Sequence, residues 1–185
     1  MKELMIDIET FGNKSHSVIL SIAAVQFDLE TGETGKTFYR KIDLQSAIDA
    51  GLKLNASTLQ WWMEQKHEAL IELFSGENRT LSESLGDFKT FYGLINQSIE
   101  EDLRVWGNGA RFDLGLLEDA YETIGEDAPW NFRAEMDVRT LVAFAPEIKK
   151  EMKFEGIEHN PHDDCMHQIK YCSKTWNKLT QHETV

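Results

Sequence analysis

Apolar residues near the start of the chain are concentrated in three short segments. Residues 4–10 and 18–27 are rich in apolar and β-branched side chains, and residues 37–42 alternate between apolar and polar positions. These patterns predict three β-strands. Because short, turn-rich segments connect them, we expect an antiparallel meander with the first strand at the centre of the sheet.

After residue 44, apolar residues recur with the spacing of a helix. Residues 44–74 are predicted to form several short helices, one of them capped by Asn55 or Ser57, and apolar residues three or four apart over 81–95 predict an amphipathic helix. Residues 75–80 are predicted as a loop. The remaining predictions are strands at 103–106 and 132–136, helices at 113–124 and 138–144, a final helix that begins at Pro161 after an Asn160 cap, and a frayed tail over 180–185.

Three strands followed by alternating helices and strands predict an α/β fold with a mixed, five-stranded sheet flanked by helices. The chain has 185 residues and no repeat, linker or low-complexity tract, so we expect one domain over 1–185. In sheets of this kind, functional sites form beside the carboxyl ends of the strands.

The net charge of −13 bears on the class of partner. It argues against a broad, basic nucleic-acid surface, but it is compatible with an enzyme that binds a few nucleotides at a chain end. No apolar run approaches the ~20 residues that span a membrane, and no signal peptide is evident, so we expect no membrane partner and a cytoplasmic location. Cys165 and Cys172 would lie about 10 Å apart on one helix, too far for a mutual disulfide.

The first strand carries two acids that matter chemically. Asp7 and Glu9 alternate with apolar residues, so both point to one face of the strand, with Cα atoms about 6.5 Å apart. Two carboxylates buried side by side repel each other and lose hydration, and a divalent cation would compensate for both effects. The alternative is that the strand ends at Ile6 and both acids are solvated.

Two later segments supply further candidate ligands. Asp113 follows a strand and the turn at 107–109, although an acid at a helix start is also explained by capping. Near the C-terminus, Asp163 fits a capping role in the first helical turn, whereas Asp164 lies at the edge of the apolar stripe and is the better ligand candidate. His159 precedes the helix in a loop from which it could approach such a site.

Together these residues resemble a known family. Asp7-x-Glu9-Thr10, Gly107-Asn108-Gly109-x-x-Phe112-Asp113 and His159-x4-Asp164 are similar, in order and spacing, to the three motifs of the DEDDh 3′→5′ exonucleases. That superfamily includes ribonuclease T, oligoribonuclease and the proofreading subunits of DNA polymerases. The resemblance extends from residue 4 to about residue 172, which is nearly the whole chain.

The resemblance implies a ribonuclease H-like fold and a set of functional residues. Two Mg²⁺ or Mn²⁺ ions would be held by Asp7, Glu9, Asp113 and Asp164, with His159 as general base. The partner would be a nucleic acid with a free 3′ end, the products nucleoside 5′-monophosphates, and a homodimer is an open expectation because several relatives are dimers. Pro161 departs from the small residue usual in the family and could shift the loop of His159. The expected substrate contacts are Thr10, Phe11, Trp61, Trp62, Gln65, Asn108, Arg111 and Phe112.

The segment Trp61-Trp62-x-x-Gln65 is similar to a branch with the phage exonuclease A group and some bacterial 3′ exoribonucleases. This similarity slightly favours DNA over RNA as substrate. Adjacent tryptophans on a helix point about 100° apart, so at most one lies fully in the core, and the other either packs or stacks on a base. Basic candidates for phosphate contact, led by Arg111 because it lies close to Asp113, are Arg111, Arg139, Lys149, Lys150 and Lys153.

Three other interpretations stay open from the residues alone. An endonuclease of the ribonuclease H type would use the acids without a mobile histidine. A non-catalytic module could bind nucleic-acid ends or a protein. A zinc site could form from His159, His162, Cys165 and His167, although their spacing does not match a paired Cys/His module.

Overall fold

The computed structural model describes residues 1–99 and 103–180 of the protein. The strands in these ranges are β1 (Glu3–Thr10), β2 (Ile19–Phe27), β3 (Thr34–Ile42), β4 (Asn78–Arg79), β5 (Arg104–Gly107) and β6 (Glu135–Asp137). The helices are α1 (Leu44–Asp49), α2 (Ala56–Met63), α3 (His67–Phe74), α4 (Leu81–Asn96), α5 (Ala110–Thr123), α6 (Val138–Val142), α7 (Pro146–Glu151) and α8 (Pro161–Thr180).

The strands form one mixed sheet in the order β4-β3-β2-β1-β5-β6. β1 is antiparallel to β2 and parallel to β5, while β3–β4 and β5–β6 are parallel pairs. The predicted meander and the central position of β1 are therefore confirmed, as is the mixed α/β class. The predicted count of five strands was wrong, because β4 pairs two residues of the predicted loop with the end of β3. A polar two-residue strand carries no period that a sequence pattern can reveal.

Helix packing covers both faces of β1. On one face, Leu4 and Ile6 join a core that contains apolar side chains of α4 and α5. On the other face, Met5 packs with Cys165 and Ile169 of α8. Side chains alternate along a strand, so Asp7 and Glu9 lie on the Met5 side, the side that α8 covers. This layering brings the acidic end of β1 next to the first turns of α8.

A buried ion pair joins β1 to β5. Glu3 is only 2% exposed, and its carboxylate pairs with Arg104 and accepts a 2.7 Å hydrogen bond from Trp106 Nε1. Burial leaves this carboxylate dependent on these two donors. The pairing helps to hold β1 and β5 in the register that sets the two strand ends beside each other.

The helix caps follow the predicted chemistry. The Asn55 side chain accepts hydrogen bonds from the amides of Ser57 and Thr58, so Asn55 rather than Ser57 is the cap of α2. The Asn160 side chain does the same at the start of α8. Both results reflect the preference of short polar side chains for the first, unpaired amides of a helix.

Several predicted boundaries move. α5 begins at Ala110 rather than at residue 113, and the predicted strand at 132–136 becomes a 3₁₀ turn (Phe132–Ala134) followed by β6. Pro146, expected only to stop a helix, also starts α7, because proline suits the first helical turn. Thr180 ends α8, and the rest of the predicted frayed tail lies outside the described residues.

Both cysteines are free and buried, as expected. Among the described residues, no helix is long and apolar enough to cross a membrane.

Candidate active site

A cavity of about 620 Å³ opens at the carboxyl end of β1. Residues from all three sequence motifs line it, together with side chains of α2 and α8. The structure brings together most of the predicted site residues there: Asp7, Glu9, Thr10, Trp61, Trp62, Asn108, Phe112, Asp113, His159 and Asp164.

The acids of β1 lie on the inner wall of this cavity. Asp7 is 9% exposed and Glu9 is 8% exposed, so the alternative of two solvated acids after Ile6 is excluded. Burial is the largest cause that raises the pKa of each carboxyl well above its ordinary value, and the neighbouring acids Asp113 and Asp164 add to the effect. The pairing of β1 with β2 shifts register between Glu9 and Thr10, and such irregularities are frequent beside active sites.

Asp113 enters the cavity from the first turn of α5. The turn before the helix needs glycine twice: Gly109 has a φ of +97°, and a Cβ on Gly107 would come within 3.0 Å of the Asp113 Cβ. Burial raises the pKa of Asp113 to about 7, while backbone amides of Asn108 and Ile8 act in the opposite direction. The turn therefore holds a carboxylate inside the protein without fully compensating its charge.

Asp164 and His159 come from the start of α8. The backbone amide of His159 donates a 3.1 Å hydrogen bond to Asp164 Oδ2. His159 adopts a φ of +67°, which is uncommon for a residue with a side chain. Ligand atoms of Glu9, His159 and Asp164 all lie within 4.8 Å of one another. Burial raises the pKa of Asp164 to about 6 and lowers the pKa of His159 below its ordinary value.

Gln168 is a cavity residue that the sequence reasoning missed. Its side chain is 3% exposed, and its Nε2 donates a 2.7 Å hydrogen bond to Asp7 Oδ1. The available signal was spacing, since residues four apart lie on the same face of a helix and Gln168 is four residues after Asp164. It was hidden because it lies within the apolar stripe of α8.

The donor set fits hard divalent cations. Asp7, Glu9, Asp113 and Asp164 offer carboxylate oxygens, and Asp113 Oδ2 is buried without a hydrogen-bond partner. Hard cations such as Mg²⁺ and Mn²⁺ prefer such oxygens to sulfur or nitrogen. Orphaned oxygens in a group of mutually repelling acids are what a bound cation would satisfy.

The four residues of the alternative zinc site do not converge. The His167 ring packs against Phe154 and Tyr171 at centroid distances of 4.9 and 5.3 Å. Cys165 Sγ is buried and faces the carbonyls of Met5 and Ala23. Among the described residues, the groups with ligand atoms close enough to share a metal do not include this set.

The two tryptophans divide as the helix geometry predicted. Trp62 is 2% exposed, and its Nε1 donates a 2.9 Å hydrogen bond to the carbonyl of Thr10. Trp61 is 41% exposed and lines the cavity. The His159 ring lies edge-on to both, with centroid distances of 5.0 Å to Trp61 and 5.7 Å to Trp62. Trp61 is therefore the ring available to a ligand.

Some predicted substrate contacts lie elsewhere. Phe11 is 3% exposed and packs its ring on Phe74, away from the cavity lining. Gln65 Nε2 donates to the carbonyl of Trp61, and Gln65 does not line the cavity either. Arg111 lines a neighbouring cavity instead.

The other basic candidates divide into two groups. Arg139 lines both the first cavity and the neighbouring one. Lys149 and Lys150 lie on α7, and Lys149 stacks over the Tyr171 ring at 5.2 Å. These lysines and Lys153 are absent from the lining of the first cavity.

Solved structures share this fold at low sequence identity. The nuclease domain of 3′hExo, a DEDDh family member bound to rAMP, aligns with 12% identity over 95% of this chain and 92% of that chain (TM-score 0.67). Exonuclease X in complex with 5′ overhanging duplex DNA aligns with 13% identity over 97% and 94% (0.58). E. coli exonuclease I with a dT13 oligonucleotide aligns with 15% identity over 97% and 41% (0.60). No curated protein sequence matches significantly.

The mixed sheet of this chain is the fold of these exonucleases, at sequence identities of 12–15%. The chain belongs to the 3'-5' exoribonuclease Rv2179c-like domain family, whose model matches residues 2–176. The chain is therefore an exonuclease, and the family match favours this over an endonuclease or a non-catalytic module.

Proposed function

We propose that the enzyme removes nucleotides one at a time from the 3′ end of single-stranded RNA and releases nucleoside 5′-monophosphates. The observation that carries the proposal is the convergence of four carboxylates, His159 and the exposed ring of Trp61 on one cavity. The family description, an exoribonuclease, favours RNA over the DNA preference drawn from the phage resemblance. Single-stranded DNA is the second candidate substrate, because the phage branch shares the double-tryptophan segment.

We propose that Asp7, Glu9, Asp113 and Asp164 hold two divalent cations, Mg²⁺ or Mn²⁺. When bound, such a pair activates a water molecule and stabilises the charge that develops on the leaving oxygen.

His159 is the proposed general base. Burial lowers its pKa, so the imidazole is neutral near pH 7 and can accept a proton. The water oxygen forms a bond to phosphorus, the bond from phosphorus to the 3′ oxygen breaks, and the water proton passes to His159. The leaving 3′ oxygen takes a proton from solvent. The position of His159 beside Glu9 and Asp164 supports this role.

Trp61 is the proposed platform for a base at the 3′ end. Its ring lies edge-on to the rings of Trp62 and His159, at centroid distances of 5.1 and 5.0 Å, and these contacts support its orientation toward the cavity. Thr10 lines the same cavity, with a carbonyl that accepts from Trp62 Nε1 and a hydroxyl that donates to the Gly12 carbonyl over 2.6 Å. Stacking of one base on an aromatic side chain contributes about 1–3 kcal/mol.

Digestion of matched oligonucleotides tests the proposal. A 5′-labelled RNA and the DNA of the same sequence are incubated separately with Mg²⁺ and Mn²⁺, and the products are resolved by length. A ladder that shortens from the 3′ end, faster on RNA, is expected. Faster digestion of DNA would show that single-stranded DNA, the second candidate, is the preferred substrate. The absence of any 3′ shortening with either metal would refute the proposed function.

A further inference from the structure

A second cavity of about 830 Å³ adjoins the proposed active site. The two cavities share Asn13, Phe112 and Arg139 in their linings, so they meet along one edge. A flexible strand whose 3′ end lies in the first cavity could therefore continue into the second.

Three cations and three acids line the second cavity. The cations are Lys14, Arg111 and Arg139, and none of them forms a direct ion pair within the described residues. Arg139 lies near enough to Asp113 and Asp137 for its charge to lower the pKa of both carboxyls. Other cations of this acidic chain are engaged, such as Arg40 with Asp87 and Lys89 with Glu126. Cations that lack a direct ion pair, gathered in one cavity of an acidic protein, favour an anionic ligand.

The acids of the second cavity are mostly occupied by the protein. Asp119 accepts hydrogen bonds from the Ser15 hydroxyl and the His16 amide, at 2.9 and 2.8 Å. Asp137 accepts from the amides of Ala110 and Thr140, at 2.7 and 2.6 Å. These carboxylates anchor a loop and the starts of two helices. Because their charge is partly compensated by these hydrogen bonds, we expect them to repel an anionic ligand less strongly than the cations attract it.

The third acid, Glu118, interacts with Glu135 rather than with the cations of the wall. The Arg139 guanidinium lies close against Gly109, because a Cβ on that glycine would come within 2.9 Å of the arginine Cζ. The glycine thus leaves room for a guanidinium at the boundary between the two cavities.

We infer that the second cavity binds the backbone phosphates on the 5′ side of the scissile bond, through Lys14, Arg111 and Arg139. This inference rests on the proposed function and specifies its substrate: a single-stranded tail of several nucleotides rather than a dinucleotide. The first cavity determines where the chain is cut, and the second determines how long a substrate must be to bind well.

Kinetics with oligoribonucleotides of two to eight nucleotides and a common 3′ sequence test this. For the wild type, kcat/KM should rise with length until the second cavity is filled. In the double variant Lys14→Gln/Arg111→Gln, the ratio of kcat/KM between octamer and dimer should fall about tenfold, as expected for the loss of two phosphate contacts. The control is Lys36→Gln/Lys174→Gln, which removes the same charge from exposed positions on β3 and α8.

Binding in EDTA provides a readout that needs no turnover. A fluorescent octanucleotide should bind the Lys14→Gln/Arg111→Gln variant about tenfold more weakly than the wild type or the control, and with a shallower salt dependence. Equal affinity of all three proteins, or a wild type whose kcat/KM does not rise with length, would overturn the inference while leaving the proposed function intact. If no protein shortens RNA but the octanucleotide still distinguishes them, the phosphate site stands and the proposed activity fails.

Discussion

Gln168 Nε2 donates a 2.7 Å hydrogen bond to Asp7 Oδ1, which connects α8 to the central strand inside the candidate active site. The bond fixes the orientation of one carboxylate and leaves the Gln168 Oε1 buried without a partner. Residues that orient metal ligands in this way strongly affect metal affinity. Gln168 is therefore expected to position Asp7 rather than to react itself.

The first prediction concerns this bond. Gln168→Leu keeps the buried volume but removes the donor, so Asp7 is free to rotate. We expect Mn²⁺ affinity, measured by calorimetry, to fall roughly 10–100-fold. The melting temperature in EDTA should change little by comparison, which separates positioning from folding. Wild-type Mn²⁺ affinity in this variant would show that the bond is only structural.

The second prediction concerns His159. His159→Ala should lower kcat roughly 10²–10⁴-fold, because the attacking water loses its general base. Burial lowers the histidine pKa, so the acid limb of the wild-type kcat profile should have its midpoint below the ordinary pKa of histidine. That acid limb of the kcat profile should disappear in the variant. Retention of both the rate and the limb would exclude His159 as the base.

The two tryptophans should respond differently to truncation. Trp61→Ala should raise KM with little effect on melting, since an exposed ring that stacks on a base contributes about 1–3 kcal/mol to binding. Trp62→Ala should lower the free energy of unfolding by about 3–5 kcal/mol, because it empties part of the core and frees the Thr10 carbonyl. Urea unfolding and steady-state kinetics on both variants distinguish these effects. Similar stability losses in both would contradict the division of roles.

The acidic cluster predicts a pH-dependent stability. Burial raises the pKa of Asp113 to about 7, above its value in the unfolded chain. A carboxyl group of this kind favours folding at low pH, and the contribution is lost as the pH rises through the folded-state pKa. In EDTA near pH 4, the melting temperature of Asp113→Asn should therefore be close to that of the wild type. Toward pH 8, the melting temperature of the variant should exceed that of the wild type by a growing margin.

Metal should reverse that order. An ion that binds only the folded state raises the melting temperature by mass action, so millimolar Mn²⁺ at pH 8 should stabilise wild type more than Asp113→Asn. Two results would count against a buried, preformed ligand set. One is a difference in melting temperature between the two proteins that does not change with pH in EDTA. The other is a wild type that Mn²⁺ does not stabilise.

Much of the candidate site was predictable because its proposed ligands follow local patterns. Asp7 and Glu9 alternate with core residues on a central strand, and Asp113 follows a glycine turn, so their meeting at one sheet edge follows from strand direction. Asp164 lies at the margin of an apolar stripe, where packing alone does not favour an acid and a ligand role is indicated. These positions depend on local geometry that the sequence determines.

The remaining features depend on tertiary packing. Gln168 is recognisable only once α8 lies across β1, and the pairing of β4 needs the end of β3 beside it. Phe11 was expected at the substrate, but its ring is buried and packs against the partly exposed ring of Phe74. The second cavity also needs the folded chain, because Lys14 and Arg139 are 125 positions apart and meet only around the start of α5.

The most direct test of the account compares a linear and a circular form of one RNA with Mg²⁺ present, using the wild type and Asp7→Asn. The account predicts that the wild type shortens the linear form from its 3′ end to nucleoside 5′-monophosphates and leaves the circle intact. Asp7→Asn should cut neither form. Cleavage of the circle, or wild-type shortening by Asp7→Asn, would contradict it.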